Sequence, residues 1–379
     1  MNAEHAKIGK DDRIPTIAEL DDRTKRRGLI SIILASNRPK TLSAFLRNLQ
    51  QTCRDVNNFE VLIHVDAGND ELNNIVKILG ETKKMNVRFF NLDVPHSYFS
   101  LNISYDHILK HVSENSQFVC ILADTFRFLS PYWDHFVLSH SDLFQDNVYA
   151  LRISNHRYVT HRDLNSAWHH CENWGMYSTK WIELAGGWGE FWCPDAWQEF
   201  INYFLKHYAD PDSTRHFRSV PLAHVTMMKV AAEPDEYVTQ GNLQAHRFNF
   251  TKWYRGEMFL RDRMLSKRAM RNFLVIAARM SLHIRAYEIG LKTFDIKDNP
   301  SKQELVLSDL ETFETKSVAS YKLARKIVWR EQFIVARRQP ALTVVWLLRH
   351  LPFTRWLVPF ALRRIFKLDK SMAVELAQY

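Results

Sequence analysis

Three carboxylates stand where a folded chain could use them. Asp66 ends the apolar run Phe59-Glu60-Val61-Leu62-Ile63-His64-Val65, and Asp124 follows Phe118-Val119-Cys120-Ile121-Leu122-Ala123. Both runs have the apolar, β-branched character of strands buried in a parallel sheet, which puts each acid at a strand's carboxyl end. Ligands of open α/β sheets bind beyond those ends. Asp195 has a different setting. Pro194 precedes it as a first-turn residue, and Trp197, Phe200, Ile201, Phe204 and Leu205 form one apolar helical stripe behind it. The helix dipole favours the ionised form of an acid in the first turn, which equips it to accept a proton. Glu190 is the nearest substitute for that role.

The elements that must hold these groups are legible in outline. Leu29-Ile30-Ser31-Ile32-Ile33-Leu34 reads as a strand buried on both faces. Ser36 or Asn37 is placed to cap the following helix, with Pro39 in its first turn and Leu42, Phe45, Leu46 and Leu49 on one face. The strand ending at Asp66 then completes a strand–helix–strand unit, right-handed by default. Further along, Glu71–Gly80 reads as a helix and Val87–Leu92 as a strand. Leu101, Tyr105, Ile108, Leu109 and Val112 mark a helix that carries Asn102 near its start, where unpaired backbone N–H groups can meet phosphate. Ser130-Pro131 is expected to open a helix bearing Trp133, Phe136 and Val137. Asn147–Ser154 reads as a strand, and Pro221–Thr226 as a short strand carrying His224.

This order of segments resembles the family-2 glycosyltransferases of the GT-A fold, and the resemblance covers residues 28–250. It rests on Asn37-Arg38-Pro39 after the first strand, the acidic turn Asp66-Ala67-Gly68, the strand ending at Asp124, and the Gly186-Gly187-Trp188-Gly189-Glu190 segment leading to Asp195. The resemblance implies a nucleotide-sugar donor held by Ser36, Asn37, Arg38 and Asp66, with Asn102 and Asp124 near its diphosphate. It implies a divalent cation, Mg2+ or Mn2+, at Asp124, with His224 as a second ligand. Asp195 would be the base of an inverting transfer, with Glu190 in reserve. The chain departs from the family at Ala67 and Ala123, where further acids are usual, and at Pro194, where the family has Glu. Gln198 is followed by Glu199-Phe200-Ile201-Asn202 rather than by the Gln-x-x-Arg-Trp signature of processive synthases, so single additions are implied. The expected acceptor is a lipid-linked or surface-polysaccharide intermediate.

Composition sets the frame around these motifs. The 379 residues carry a net charge of +9, and from Lys252 onward there are 25 Lys and Arg against 12 Asp and Glu. The basic character therefore belongs to the C-terminal third, and an anionic partner is expected there. Between Ile334 and Lys370, Trp346, Trp356, Phe353 and Phe360 interleave with Arg349, Arg355, Arg363 and Arg364, a pattern suited to a helix lying in the plane of an anionic membrane. The competing expectation is a helical subdomain with solvated arginines. No nucleic-acid recognition motif accompanies the charge. The four cysteines lack paired spacing, Met1–Arg27 has no apolar leader, and no apolar run reaches the length of a spanning helix. A cytoplasmic protein, peripheral on the inner face of the membrane, is the expectation. His156, His161, His169, His170 and Cys171 lack the spacing of a zinc module and read as a loop near the acceptor; His246 is a lone candidate ligand. The expected organisation is a mobile tail over 1–27, an α/β domain over 28–250 with a mostly parallel sheet and flanking helices, and a helical region over 251–379. The alternatives are a nucleotidyltransferase of similar fold, against which the lack of a Gly-rich phosphate loop counts, and a non-catalytic sugar-nucleotide or glycan-binding scaffold.

Overall fold

A computed structural model describes residues 28–36, 38–66, 85–92, 101–155, 175–189, 194–207, 218–230, 254–255, 258, 260–288, 322–337, 339–351 and 353–378. Asn37, Glu190, His246, the helix expected at Glu71–Gly80 and the histidine-rich stretch from His156 lie outside them.

Apolar alternation builds the centre. β1 (Leu29–Ala35) is followed by α1 (Pro39–Thr52), β2 (Phe59–Asp66) and β3 (Asn86–Leu92). Next come α2 (Leu101–Leu109), β4 (Ser116–Ile121), the short β5 (Phe126–Phe128) and α3 (Trp133–Leu138). Then follow β6 (Ala150–Asn155), β7 (Gly175–Ser178), α4 (Thr179–Ala185), α5 (Pro194–His207) and β8 (Ser219–Lys229). Among the described residues these strands form one eight-stranded sheet in the order β3-β2-β1-β4-β7-β6-β8-β5. β3, β2, β1 and β4 pair in parallel, as do β6 and β8; β7 and β5 run against their neighbours. This is the expected α/β class with a mostly parallel sheet.

The period-2 pattern sorts side chains to two cores. Ile30, Ile32 and Leu34 of β1 and Phe118 and Cys120 of β4 join Leu42, Phe45, Leu46 and Leu49 of α1 on one face. Ile33, Val119 and Ile121 face the other core with Tyr105, Trp181 and Phe200. Each such side chain contributes about 1.5–3 kcal/mol of burial, which explains why β1 is apolar at nearly every position.

The basic C-terminal helices do not all stand apart from this core. α6 (Lys267–Glu288) puts Met270, Phe273, Ala277 and Met280 into the same cluster as α5, and α7 (322–337) adds Ala324, Ile327 and Val335. α8 (Pro340–His350), α9 (Val358–Phe366) and α10 (Lys370–Ala377) form a smaller cluster around Leu342, Val345, Leu362 and Leu376.

Two local expectations differ from the fold. α3 begins at Trp133, after Tyr132 in a left-handed conformation (φ 59°), so Pro131 precedes the helix and does not open it. The N-cap of α1 is Arg38, with no side-chain cap hydrogen bond; Ser36 lies two residues earlier, where its hydroxyl donates to Asp124 and accepts from the Arg38 N–H.

Candidate active site

β1 connects through α1 to β2 on one side, while β4 lies on its other side. The chain thus changes direction across the sheet between β1 and β4, the kind of switch point where open α/β sheets leave a crevice beyond the carboxyl ends. Register decides what meets there. Ile33 pairs with Ile121, so continuing both strands by three residues brings Ser36 level with Asp124. Asp124 is fully buried, and side chains of the β1–α1 junction hold its carboxylate. Ser36 Oγ donates to Asp124 Oδ2 at 2.6 Å, Arg38 Nε donates to the same oxygen at 3.1 Å, and Arg38 Nη2 donates to Oδ1. Arg38 N–H in turn donates to Ser36 Oγ at 3.2 Å. Arg127 Nη1 donates to the Asp124 and Phe126 carbonyls and so fixes the turn into β5. The result is a forked, charge-assisted pair in which the carboxylate is inside and the guanidinium, with 27% of its side chain exposed, reaches the surface at the carboxyl edge.

Asp66 is the last residue of β2, one strand across from the Ser36–Arg38 junction; its side chain lies outside the described residues. Asn102 sits in the first turn of α2 and is half-buried. Because α2 links the parallel strands β3 and β4, it starts at the carboxyl edge, so its open N–H groups are on the Arg38 side of the sheet.

A second device sets the start of α5. α4 ends at Ala185 with Gly186 as its C-cap, and Gly187 (φ 107°) and Gly189 (φ 113°) carry the chain through a turn that L side chains resist. A Cβ on Gly187 would lie 2.7 Å from Asp106 Oδ1, and one on Gly189 would lie 2.4 Å from the Trp197 ring. The turn is tied on both sides. Trp188 N–H donates to Asp106 Oδ1 of α2 at 2.8 Å, and Gln198 Nε2 donates to the Gly187 carbonyl at 2.8 Å while Trp181 Nε1 donates to Gln198 Oε1 at 2.8 Å. Burial raises the Asp106 carboxyl above its ordinary range, against the lowering effects of the Trp188 amide and Lys110. α5 then runs toward the amino edge, where β8 begins, so Asp195 in its first turn belongs to the carboxyl edge; the Asp195 side chain lies outside the described residues.

One turn after Asp195 stands Glu199, which no sequence motif marks as part of the site. It is buried, accepts from Arg152 Nη2 of β6 at 2.9 Å and lies 3.4 Å from the Tyr177 hydroxyl. Its spacing of four from Asp195 on one helix was the available signal. Asp106 and Gln198 were also missed as holders of the turn. Their roles depend on contacts distant in sequence.

The structure separates His224 from Asp124. His224 lies in β8 with its ring 5.5 Å from Phe136, and it precedes by five residues Lys229, the register partner of Phe126. At about 3.3 Å per strand residue it is more than ~10 Å along the strand from the Asp124 turn. Both oxygens of Asp124 are engaged by Ser36 and Arg38, and among the described residues no three His, Cys, Asp or Glu side chains converge. So arranged, Asp124 and His224 do not fit a shared divalent cation. Cys53 and Cys120 are free thiols, and burial pushes Cys53 up to about 12.

No protein-family model matches the chain, and no curated protein matches it in sequence. Solved structures do resemble it. The mannosyltransferase PcManGT from Pyrobaculum calidifontis, in complex with GDP-Man and Mn2+, aligns over 80% of this chain and 86% of its own, at 11% identity and a TM-score of 0.44. Residues 1–349 of TarS from S. aureus align over 82% of this chain and 92% of their own, at 12% identity and a TM-score of 0.39. The same TarS segment in complex with UDP-GlcNAc aligns over 82% and 92%, at 13% identity and a TM-score of 0.37.

Proposed function

We propose that this chain is a nucleotide-sugar-dependent glycosyltransferase, inverting and non-processive, acting on a lipid-linked or surface-polysaccharide acceptor. The observation that carries the reading is the Ser36–Asp124–Arg38 cluster at the switch point between β1 and β4. A guanidinium presented by a buried carboxylate is a fixed, forked cation suited to a diphosphate. Asp66 is proposed for the donor's base or ribose, and Asn37 for the same loop. Asn102 and the start of α2 offer N–H groups to the phosphates. Asp195 takes the proton of the acceptor hydroxyl as that oxygen attacks the anomeric carbon, with Glu190 as the substitute. The new glycosidic bond forms as the bond to the diphosphate breaks, and the nucleoside diphosphate leaves with the electron pair. Arg38 meets the charge that develops on it.

The test is donor turnover by wild type, Asp195→Asn and Arg38→Gln, after a thermal-shift screen against UDP-, GDP-, CMP- and dTDP-sugars finds the donor. Asp195→Asn is expected to lower turnover about a hundredfold or more at unchanged stability. Donor bound but never turned over by wild type would favour the scaffold reading; equal turnover by all three would remove Asp195 and Arg38 from the chemistry.

A further inference from the structure

The C-terminal helices bury one face and leave an unusual second face in solvent. Around the buried cluster of α8, α9 and α10, the side chains of Leu351, Phe353, Trp356 and Phe360 are 50%, 93%, 74% and 60% exposed. Large aromatics at such exposure, close together in sequence and joined to the same small cluster, are a patch rather than isolated surface residues. The loop that presents them is built. Phe353 adopts a left-handed backbone (φ 67°), which is costly for a bulky residue. Thr354 Oγ1 donates to the Leu348 and Leu351 carbonyls at 2.7 and 3.0 Å, and Arg355 Nε donates to the Arg349 carbonyl at 2.9 Å. These bonds hold the loop in the conformation that points Phe353 and Trp356 away from the protein.

Charge says what covers this face. Residues 322–379 hold twelve Lys and Arg against three Asp and Glu, whereas the preceding 321 residues are balanced at 39 of each. The whole net charge of +9 therefore lies in the last 58 residues. Arg355, Arg363, Arg364 and Lys367 are exposed beside the aromatics. In a two-fold pairing of this face with a second copy, these cations would lie in one interface with their own counterparts. Aromatic side chains among arginines on helices too short to span are instead the composition of a surface that lies in the headgroup layer. Among the described residues no helix is long and apolar enough to cross a membrane.

We propose that the end of α8, the 351–357 loop and α9 form a docking surface for an anionic membrane, with Phe353 and Trp356 entering the interface and Arg355, Arg363, Arg364 and Lys367 meeting the headgroups. The docking is independent of sugar transfer, since it needs neither donor nor acceptor.

The experiment is flotation of the full chain with vesicles of phosphatidylcholine alone and of phosphatidylcholine with about one third phosphatidylglycerol. Wild type is expected to float with the anionic vesicles only. Phe353→Ser/Trp356→Ser should reduce partitioning about tenfold, and Arg363→Glu/Arg364→Glu about 25-fold or more, with melting temperatures unchanged because these side chains are exposed. Failure of wild type to float with anionic vesicles, equal flotation with neutral ones, or variants that float like wild type would overturn the proposal. A wild-type dimer by light scattering that becomes monomeric in both variants would assign the face to a second copy and overturn it equally.

Discussion

Removing the Arg38 side chain should reveal how the edge cluster is balanced. Asp124 is fully buried, and the Arg38→Ala chain loses a charged donor to each carboxylate oxygen while the Ser36 hydroxyl stays on Oδ2. Breaking a buried pair by deleting one partner costs about 3–5 kcal/mol, because a charge is left without compensation. At about 2–4 °C per kcal/mol, the melting temperature should fall by roughly 6–20 °C. Replacing both partners, Arg38→Ala with Asp124→Leu, removes the stranded charge and should recover much of that loss. The cycle should show a coupling of about 1–3 kcal/mol. Arg38→Lys should fall between wild type and Ala, since an ammonium restores charge but not the fork. Urea unfolding followed by circular dichroism measures wild type, Arg38→Ala, Asp124→Leu, the double variant and Arg38→Lys. If the double variant is as unstable as the two singles summed, the cluster is not a coupled pair and Asp124 does not owe its burial to Arg38.

Gly189→Ala should be among the worst single-methyl additions in the molecule, because its Cβ would meet the Trp197 ring at 2.4 Å with φ at 113°. The cost is roughly 2–6 kcal/mol from backbone strain and overpacking together, read as a drop in melting temperature. Asp106 predicts a pH effect. Its carboxyl is raised in the fold, so the protonated form is the favoured one: that stability is present below about pH 4 and is lost as pH rises through the folded pKa. Asp106→Asn keeps an acceptor for Trp188 and should gain on wild type as pH rises, with equal stability below about pH 4 in urea titrations. Chelation by EDTA should leave turnover within about twofold, since Arg38 supplies the positive charge; a large loss restored by Mn2+ would show that a divalent cation shares the diphosphate charge with Arg38.

The elements set by local pattern were legible. The continuous apolar run of β1, the four-residue stripe of α1 and the Pro194 start of α5 each follow from periodicity, and the structure has them. β7 was not, because Gly-Met-Tyr-Ser is too short to show a period. The three acids were legible as strand-end or helix-start residues. What Asp124 touches was not. Its partners lie 86 and 88 residues away, and only the adjacency of β1 and β4 brings them together. Ser36 reads as a helix cap from its spacing alone, yet its hydroxyl donates to a carboxylate that sequence cannot place beside it. Gln198 was noticed only for failing a polymerase signature, while in the fold it ties Trp181 to the Gly187 carbonyl. The basic charge of the last third suggested a separate region, because arginines on the solvent side of α6 mask the apolar stripe of Met270, Phe273 and Ala277 that completes the main core.

Sugar transfer at the β1–β4 edge requires that this edge bind a sugar nucleotide through Arg38. Titration calorimetry of wild type and Arg38→Gln with the donor found by the screen measures this directly. Saturable one-to-one binding by wild type, weakened about tenfold or more in Arg38→Gln, is the predicted result. No binding of any UDP-, GDP-, CMP- or dTDP-sugar, or equal affinity in the two chains, would contradict it.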